Sequence, residues 1–214
     1  MPITTVIFDY GCVLSLKPAQ EDFEPLRQAL GVDAAAFQKA YWQHRNAYDT
    51  DQLDTCSYWQ GVARAAGVSF TKEEIQRISA LDTQMWMRTD PVMLEWARAL
   101  RECGLKTAIL SNMSRCVGDY LRRRAPWTGI FDHLCLSGEL RIAKPDPAIY
   151  HACLEALGVT APEALFIDDL ETNVVVARTL GMHGIVFSSP AQLQKDLSAD
   201  GLAKSLAEAF RRAR

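Results

Sequence analysis

The stretch VIFDYGCVLS, residues 6–15, decides how the rest of the chain is interpreted. A short apolar run ends at Asp9, the chain passes through Gly11, and apolar residues then resume. This pattern suits a turn between two buried segments, because aspartate and glycine are both common in turns. It suits equally a carboxylate held at the end of a β-strand for chemistry. The residues at the ends of the other apolar runs of the chain decide between the two.

Those other runs also have the length of β-strands. They cover residues 105–111, 133–137, 164–168 and 184–187, in addition to residues 5–8 of the first run. Their apolar residues are nearly continuous, as in strands buried on both faces, and stretches with helical spacing lie between them. The alternation predicts an α/β fold, a Rossmann-like parallel sheet with helices on both faces.

Residues 16–87 interrupt this alternation. The segment has helical patterning and turn signals but no run typical of a parallel strand. Thr71 precedes Glu74 by three residues, which is the spacing of a capping box at the start of a helix. We therefore predict a core domain formed by residues 1–15 and 88–214 and a helical cap domain formed by residues 16–87. The cap should lie above the carboxyl edge of the sheet, because the first strand ends there.

Polar residues occupy the ends of the predicted strands, at the edge of a parallel sheet where ligands bind. They are Asp9, Ser111, Asn112, Lys144, Asp168 and Asp169. Several of them alone could simply cap a helix. Capping does not explain why carboxylates, a hydroxyl and a lysine share one edge. Converging carboxylates need a cation such as Mg²⁺, and a lysine and a hydroxyl can hold phosphoryl oxygens. The set predicts phosphoryl transfer through an aspartyl-phosphate.

Four motifs also carry a resemblance to one family. In chain order, FDYGCVL, LSN, KPDPAIY and FIDDLETN resemble the motifs of the haloacid dehalogenase superfamily, in the branch with a helical cap after the first strand. The resemblance implies a phosphatase in which Asp9 is the nucleophile and Ser111 binds the phosphoryl group. It implies that Lys144 pairs with nucleophile and phosphate and that Asn112 helps to orient the substrate. The implied ligands of Mg²⁺ are Asp9, Asp168, Asp169 and the main-chain carbonyl of Gly11.

Gly11 is a departure from the family pattern. Most phosphatases of the superfamily have an aspartate two residues after the nucleophile, which protonates the leaving oxygen and later activates water. Loss of such a group costs about 10²- to 10⁴-fold in rate. We expect either a good leaving group, such as a sugar 1-phosphate or an acyl phosphate, or an acid from the cap. The sequence does not choose among the cap candidates, which are Glu21, Asp22, His44, Asp49 and Asp51.

Substrate specificity is expected to come from the cap. Its aromatic-rich stretch, residues 40–60, contains Arg45, which could reach a phosphate, and aromatic side chains of which a minority could face a sugar ring. The glycine-containing motif, together with FIDD and Asn173, resembles bacterial sugar-phosphate phosphatases, including the α-D-glucose 1-phosphate type. A sugar phosphate is the favoured substrate class by this analogy. Cys12 is expected to have a structural role.

Two other functions fit part of the pattern. A metal-independent 2-haloacid dehalogenase would explain LSN and the position of Tyr150 six residues after Lys144. Asp168 and Asp169 oppose it, since dehalogenases have neutral residues there, and Gly11 opposes it as well. A non-catalytic phospho-ligand-binding protein would explain the missing acid but not why the proposed nucleophile and metal ligands are retained.

Composition excludes other classes. The 214 residues carry a formal net charge of −3, which gives no reason to expect nucleic acid as a partner. The basic cluster at residues 122–124 is interpreted as a solvated helix end. Six cysteines without a CxxC pair are interpreted as reduced thiols. With neither a signal-peptide pattern nor a long apolar window, we expect a cytoplasmic protein without membrane contact. We expect it to be a monomer or a homodimer, and no pattern in the sequence decides between the two.

Overall fold

A computed structural model describes residues 2–199 and 204–212 of the chain. Five parallel strands form one sheet in the order β3-β2-β1-β4-β5. The strands are β1 (Thr5–Phe8), β2 (Lys106–Ser111), β3 (His133–Leu136), β4 (Ala164–Asp168) and β5 (His183–Val186). Every predicted apolar run therefore forms a strand, within one residue at each end. The predicted parallel α/β fold is confirmed.

Five helices lie within residues 16–87, where the sequence predicted a helical segment. They are α1 (Glu24–Leu30), α2 (Ala34–Gln43), α3 (Arg45–Asp49), α4 (Thr55–Ala65) and α5 (Lys72–Met85). Thr71 begins α5 with the predicted capping box, in which Thr71 Oγ1 accepts from the Glu74 N–H and Glu74 Oε2 accepts from the Thr71 N–H. The helices pack around their own apolar cluster, which includes Tyr41, Tyr58 and Trp59. We call residues 24–85 the helical insertion.

Of the remaining helices, the first lies between the helical insertion and β2, and the others come after β2 along the chain. They are α6 (Pro91–Glu102), α7 (Arg115–Arg124), α8 (Ser137–Leu140), α9 (Pro147–Leu157), α10 (Glu171–Thr179), α11 (Pro190–Ala199) and α12 (Lys204–Arg212). Short 3₁₀ segments occur at Gln20–Phe23, Pro126–Ile130 and Ala161–Glu163. Among the residues that the structure describes, no helix has the length and apolar character needed to cross a membrane.

Both faces of the sheet are buried. Val6 and Phe8 of β1 belong to one apolar cluster together with Trp96 of α6 and Phe210 of α12, whereas Ile7 points into a second cluster on the opposite face. Successive residues of a strand point to opposite faces, so a strand buried on both sides needs an unbroken apolar run. This requirement explains why the strands were readable in the sequence as continuous runs.

The register of the sheet brings the strand ends together. Phe8, the last residue of β1, lies beside Ile109 of β2 and Ile167 of β4. Asp9, the next residue after β1, therefore lies at the same edge as Ser111 and Asp168, the last residues of β2 and β4.

The two connections between the helical insertion and the sheet run side by side. Ser15 pairs with Thr89 in an antiparallel bridge, the Leu16 N–H donates to the Arg88 carbonyl at 2.7 Å, and the Asp90 N–H donates to the Leu14 carbonyl at 2.8 Å. We propose that these paired segments, residues 14–16 and 88–90, mark the boundary between the cap domain, residues 16–87, and the core domain. The chain leaves the core through the first segment and returns to it through the second.

Candidate active site

The predicted nucleophile and the predicted lysine are in direct contact. Lys144 Nζ lies 2.9 Å from Asp9 Oδ1 and 2.5 Å from Asp168 Oδ2, and its side chain is almost completely buried. Asp9 Oδ1 also accepts the Tyr10 N–H at 2.7 Å. A single buried ammonium thus contacts two carboxylates at the ends of adjacent strands, and its charge offsets part of the cost of burying them.

Asn112 positions Lys144 through its main chain. The Asn112 side-chain oxygen accepts the Lys144 N–H at 2.8 Å, and its side-chain nitrogen donates to the Lys144 carbonyl at 2.9 Å. This paired contact joins the end of β2 to the loop before α9. A contact between Asn112 and the substrate stays a prediction.

Asp168 and Asp169 differ in their surroundings. Asp168 is fully buried, and besides Lys144 it accepts the Leu170 N–H at 2.8 Å and the Asn173 amide, which lies 3.1 Å from each carboxylate oxygen. Asp169 is only partly buried and lines a cavity at this edge of the sheet. Asp168 is therefore held in one orientation, while Asp169 is the more accessible carboxylate.

The donor set fits a magnesium ion. Carboxylate oxygens of Asp9, Asp168 and Asp169 lie within 4.8 Å of one another. Mg²⁺ prefers oxygen ligands and usually binds through one or two carboxylates plus water and substrate phosphate. Gly11 also lines the cavity beside these residues. The contribution of its carbonyl to metal binding stays a prediction.

Burial shifts the pKa of several groups at the site. It raises the pKa of Asp9 to about 6, Lys144 opposes the rise, and the nearby Asp168 adds to it. The pKa of Asp169 is also raised, first by burial and then by Asp168. The pKa of Lys144 lies above its usual value because Asp9 and Asp168 outweigh the effect of burial. Burial raises the pKa of Cys12 to about 12, which keeps this thiol neutral and a poor acid.

The strand-end residues open onto a cavity of about 320 Å³. The sheet edge contributes Asp9, Tyr10, Gly11, Cys12, Ser111, Asn112, Met113, Val117, Lys144, Asp169, Leu170 and Asn173 to its lining. The helical insertion and its end contribute Trp42, Arg45, Asp49 and Trp86. The cavity is therefore formed jointly by the edge of the sheet and by the inserted helices.

Arg45 lines this cavity but is already paired. Its Nε lies 3.1 and 3.2 Å from the two oxygens of Asp49, and its Nη1 lies 2.5 Å from the Tyr41 hydroxyl and 3.2 Å from Asp82 Oδ2. The Tyr41 hydroxyl in turn donates to Asp82 at 2.6 Å. The predicted role of Arg45 in substrate binding stays a prediction, and a phosphate would have to share the guanidinium with these partners.

A larger cavity lies elsewhere. It has a volume of about 660 Å³ and is bordered by α4, α5 and α7, with Cys56, Cys116 and Tyr120 among its lining residues. Its described lining contains none of the strand-end carboxylates or Lys144. We place the chemistry in the smaller cavity, because the perturbed titratable groups and the metal-type donors converge there.

Sequence reasoning missed several residues of the site. Trp86 lines the cavity, and its carbonyl accepts the Tyr10 hydroxyl at 2.6 Å. The sequence indicates Asn173 only as part of a motif, whereas the structure places its side-chain amide 3.1 Å from both carboxylate oxygens of Asp168. The spacing of Arg45 and Asp49, four residues apart on a helix, was a readable signal for an ion pair. Nothing in the sequence indicates the contact of Arg45 with Asp82.

The family comparison agrees with this geometry. Residues 3–181 match the family of haloacid dehalogenase-like hydrolases, and the chain belongs to this family. The mycobacterial protein Phosphatase MT3486, from Mycobacterium tuberculosis, is 28 % identical over 212 residues, an alignment that covers 94 % of this chain and 96 % of the relative. Other curated relatives are much longer, and the chain spans 11 % of one and 38 % of another.

Solved structures share the fold. A haloacid dehalogenase family enzyme from Bacteroides thetaiotaomicron has a TM-score of 0.71 at 22 % identity, with 88 % of this chain and 95 % of that chain covered. The same enzyme has been solved with magnesium and inorganic phosphate. L-2-haloacid dehalogenase from Xanthobacter autotrophicus has a TM-score of 0.65 at 21 % identity and covers 99 % of this chain and 88 % of its own. At these identities the likeness establishes the fold alone.

Proposed function

We propose that this protein is a Mg²⁺-dependent phosphatase that hydrolyses a small phosphorylated metabolite, with a sugar phosphate favoured. The reaction proceeds through an aspartyl-phosphate on Asp9. The observation that carries the proposal is the contact of Asp9 with Lys144 at 2.9 Å beside the carboxylates of Asp168 and Asp169. A nucleophile, a cation for the phosphoryl oxygens and an oxygen-donor set for a metal therefore meet at one point.

The residues have separate tasks in this scheme. Lys144 and the Tyr10 N–H hold Asp9 Oδ1, so the other carboxylate oxygen is the one available to attack phosphorus. The Ser111 hydroxyl lies at the end of β2 and lines the cavity, where it can donate to a phosphoryl oxygen. When bound, Mg²⁺ screens the negative phosphoryl group from the attacking carboxylate. Asp9, Asp168, Asp169 and the Gly11 carbonyl would hold it.

The cavity favours a small substrate. Its volume of about 320 Å³ lies near the lower end of the range of roughly 300–1,000 Å³ for small-molecule sites. The indole rings of Trp42 and Trp86 line it and offer apolar surface for a sugar ring. The phosphatase name of the mycobacterial relative supports the reaction class, and the magnesium and phosphate bound to the Bacteroides enzyme support the cofactor and the ligand.

The dehalogenase interpretation is less well supported. In dehalogenases the attacking aspartate works without metal, whereas this site places two further carboxylates beside Asp9. Tyr150, whose spacing from Lys144 fits that interpretation, donates its hydroxyl to the Asn173 carbonyl at 3.0 Å and packs against Phe166. Its polar group is thus used to hold the main chain of Asn173, whose side-chain amide contacts Asp168.

The test is phosphate release from sugar, acyl and nucleotide phosphates, measured with Mg²⁺ and with EDTA. Asp9→Asn removes the nucleophile. Asp119→Asn, at an exposed carboxylate paired with Arg123 on α7, is the matched control. We expect Mg²⁺-dependent release in the wild type and the control, none in Asp9→Asn, and an acid-stable phosphorylated protein in a quenched wild-type reaction. Release that survives EDTA and Asp9→Asn contradicts the proposal. Absence of release together with halide production from 2-haloacids would establish the dehalogenase instead.

A further inference from the structure

The cavity contains a carboxylate that the proposed metal site does not use. Asp49 ends α3 and is 8 % exposed, and it lines the same cavity as Asp9, Ser111 and Lys144. The position two residues after the nucleophile holds Gly11, which has no side chain to donate a proton. A carboxylate that the helical insertion contributes to the same cavity could therefore supply the missing acid.

The structure separates Asp49 from the other four acid candidates named from the sequence, which are Glu21, Asp22, His44 and Asp51. Asp22 accepts the Ala19 N–H at 2.6 Å and pairs with Arg88 outside the cavity. Asp51 pairs with Arg115 and Arg141 at the surface. Glu21 and His44 are exposed. Of these five candidates, all within the described residues, Asp49 alone is part of the cavity lining.

The position of Asp49 relative to the sheet edge is fixed by contacts with the core. The Ser137 hydroxyl, at the start of α8, donates to the Asp49 carbonyl at 2.5 Å. The same hydroxyl oxygen accepts a hydrogen bond from the Met113 N–H at 2.9 Å. Met113 comes directly after Ser111 and Asn112 in the loop after β2. The backbone that carries Asp49 is thus tied to the loop that carries the predicted phosphoryl-binding serine.

The surroundings of Asp49 suit proton transfer near neutral pH. Burial raises its pKa to about 6, while Arg45 lowers it and Asp82 raises it. A general acid or base works best when its pKa lies near the operating pH. Arg45 Nε contacts both carboxylate oxygens of Asp49. Arg45 Nη1 contacts Asp82 and the Tyr41 hydroxyl, so Asp49 shares the positive charge of the guanidinium with a second carboxylate.

We propose that Asp49 is the general acid and base of this site and takes the place of the aspartate that is absent at Gly11. The inference rests on the proposed phosphatase function. In the first step a carboxylate oxygen of Asp9 bonds to phosphorus, the bond from phosphorus to the leaving oxygen breaks with its electron pair, and Asp49 gives its proton to that oxygen. In the second step water attacks the phosphorus of the aspartyl-phosphate, Asp49 takes the proton from the water, and the bond to Asp9 breaks. The products are the alcohol and inorganic phosphate.

The experiment measures kcat/KM against the leaving group, because this ratio reports the first step. The substrates run from acetyl phosphate, whose leaving group needs no proton, to simple alkyl phosphates, whose leaving groups do. Asp49→Asn keeps a side chain of the same size and shape but removes the carboxyl proton that would be transferred to the leaving oxygen. Asp82→Asn is the matched control, since Asp82 also pairs with Arg45 and lies outside the described cavity lining.

We expect Asp49→Asn to lower kcat/KM for alkyl phosphates by about 10²- to 10⁴-fold and to leave acetyl phosphate nearly unchanged. Asp82→Asn should affect all substrates alike. Equal losses on all substrates in Asp49→Asn would overturn the proposal, because that is the result of a purely structural ion pair with Arg45.

The wild type alone provides a second measurement if Asp49→Asn does not fold. With a general acid present, kcat/KM should depend only weakly on the leaving group. A steep decline toward alkyl phosphates in the wild type would show that no acid operates and would overturn the assignment of Asp49 while leaving the phosphatase function intact. Absence of Mg²⁺-dependent release from every phosphate would overturn both.

Discussion

Asp9 is costly to keep in its folded environment, and this cost can be measured as stability. Its pKa rises from an ordinary value of 3.8 to about 6, first of all because the carboxylate is buried. One pKa unit corresponds to about 1.4 kcal/mol, so the full shift corresponds to about 3 kcal/mol of unfolding free energy. This is a large share of the roughly 5–15 kcal/mol by which domains are stable.

The direction of the pH effect is set by the raised value. A carboxyl group whose folded-state pKa lies above its unfolded value contributes stability that is fully present below the unfolded pKa, near 3.8, and is lost as the pH rises through about 6. Asn at this position resembles the protonated carboxyl at every pH. Asp9→Asn should therefore match the wild type most closely near pH 4 and become relatively more stable by about 2–3 kcal/mol at pH 8.

The measurement is urea unfolding of both proteins at several pH values between about 4 and 8, in EDTA so that metal binding does not add stability to the wild type. Asp49, whose pKa is also raised to about 6, is present in both proteins, so its contribution cancels in the difference. If the two stability curves run parallel, or if Asp9→Asn loses stability relative to the wild type as the pH rises, the reasoning is wrong. Added Mg²⁺ should reduce the advantage of the variant.

Three further perturbations test other contacts of the site. Lys144→Met leaves two buried carboxylates without their cation and should cost about 3–5 kcal/mol in urea unfolding at neutral pH, with kcat/KM for phosphates reduced by about 10²–10³-fold; unchanged stability would contradict the central role of the pair. Gly138→Ala places a Cβ 2.5 Å from the backbone nitrogen of Arg115. It should lower the free energy of unfolding by about 1–3 kcal/mol and reduce activity. The control Gly129→Ala has nothing within 4 Å of the added atom and should change neither stability nor activity. Gly11→Asp has room, since the nearest atom to its Cβ is a ring carbon of Trp86 at 3.8 Å, and in the Asp49→Asn background it should restore part of the kcat/KM for alkyl phosphates; a double variant no better than Asp49→Asn would argue against proton donation from this position.

Much of the fold could be predicted from local patterns. The strands of a sheet buried on both faces need continuous apolar runs, and β1, β2 and β4 therefore appeared in the sequence almost as they lie in the structure. The start of α5 was readable from the capping box at Thr71, because that motif is satisfied within four residues. Ser137 was expected at the end of the third strand but begins α8, since its hydroxyl is used in contacts with Met113 and Asp49 that no local pattern reveals.

The sequence by itself determined the parallel α/β fold, the inserted helices and the set of polar residues at the strand ends. These features depend on the period of the apolar residues, the length of each apolar run and the order of the runs along the chain, all of which can be read from the sequence. Only the tertiary structure decided which polar groups meet: Lys144 with Asp9 and Asp168, and Arg45 with Asp82, 37 residues away. Placement of Asp49 at the cavity required the packing of the insertion on the core. Long-range contacts of this kind depend on how whole elements pack. The partner of a carboxylate therefore cannot be predicted from the residues beside it in the sequence.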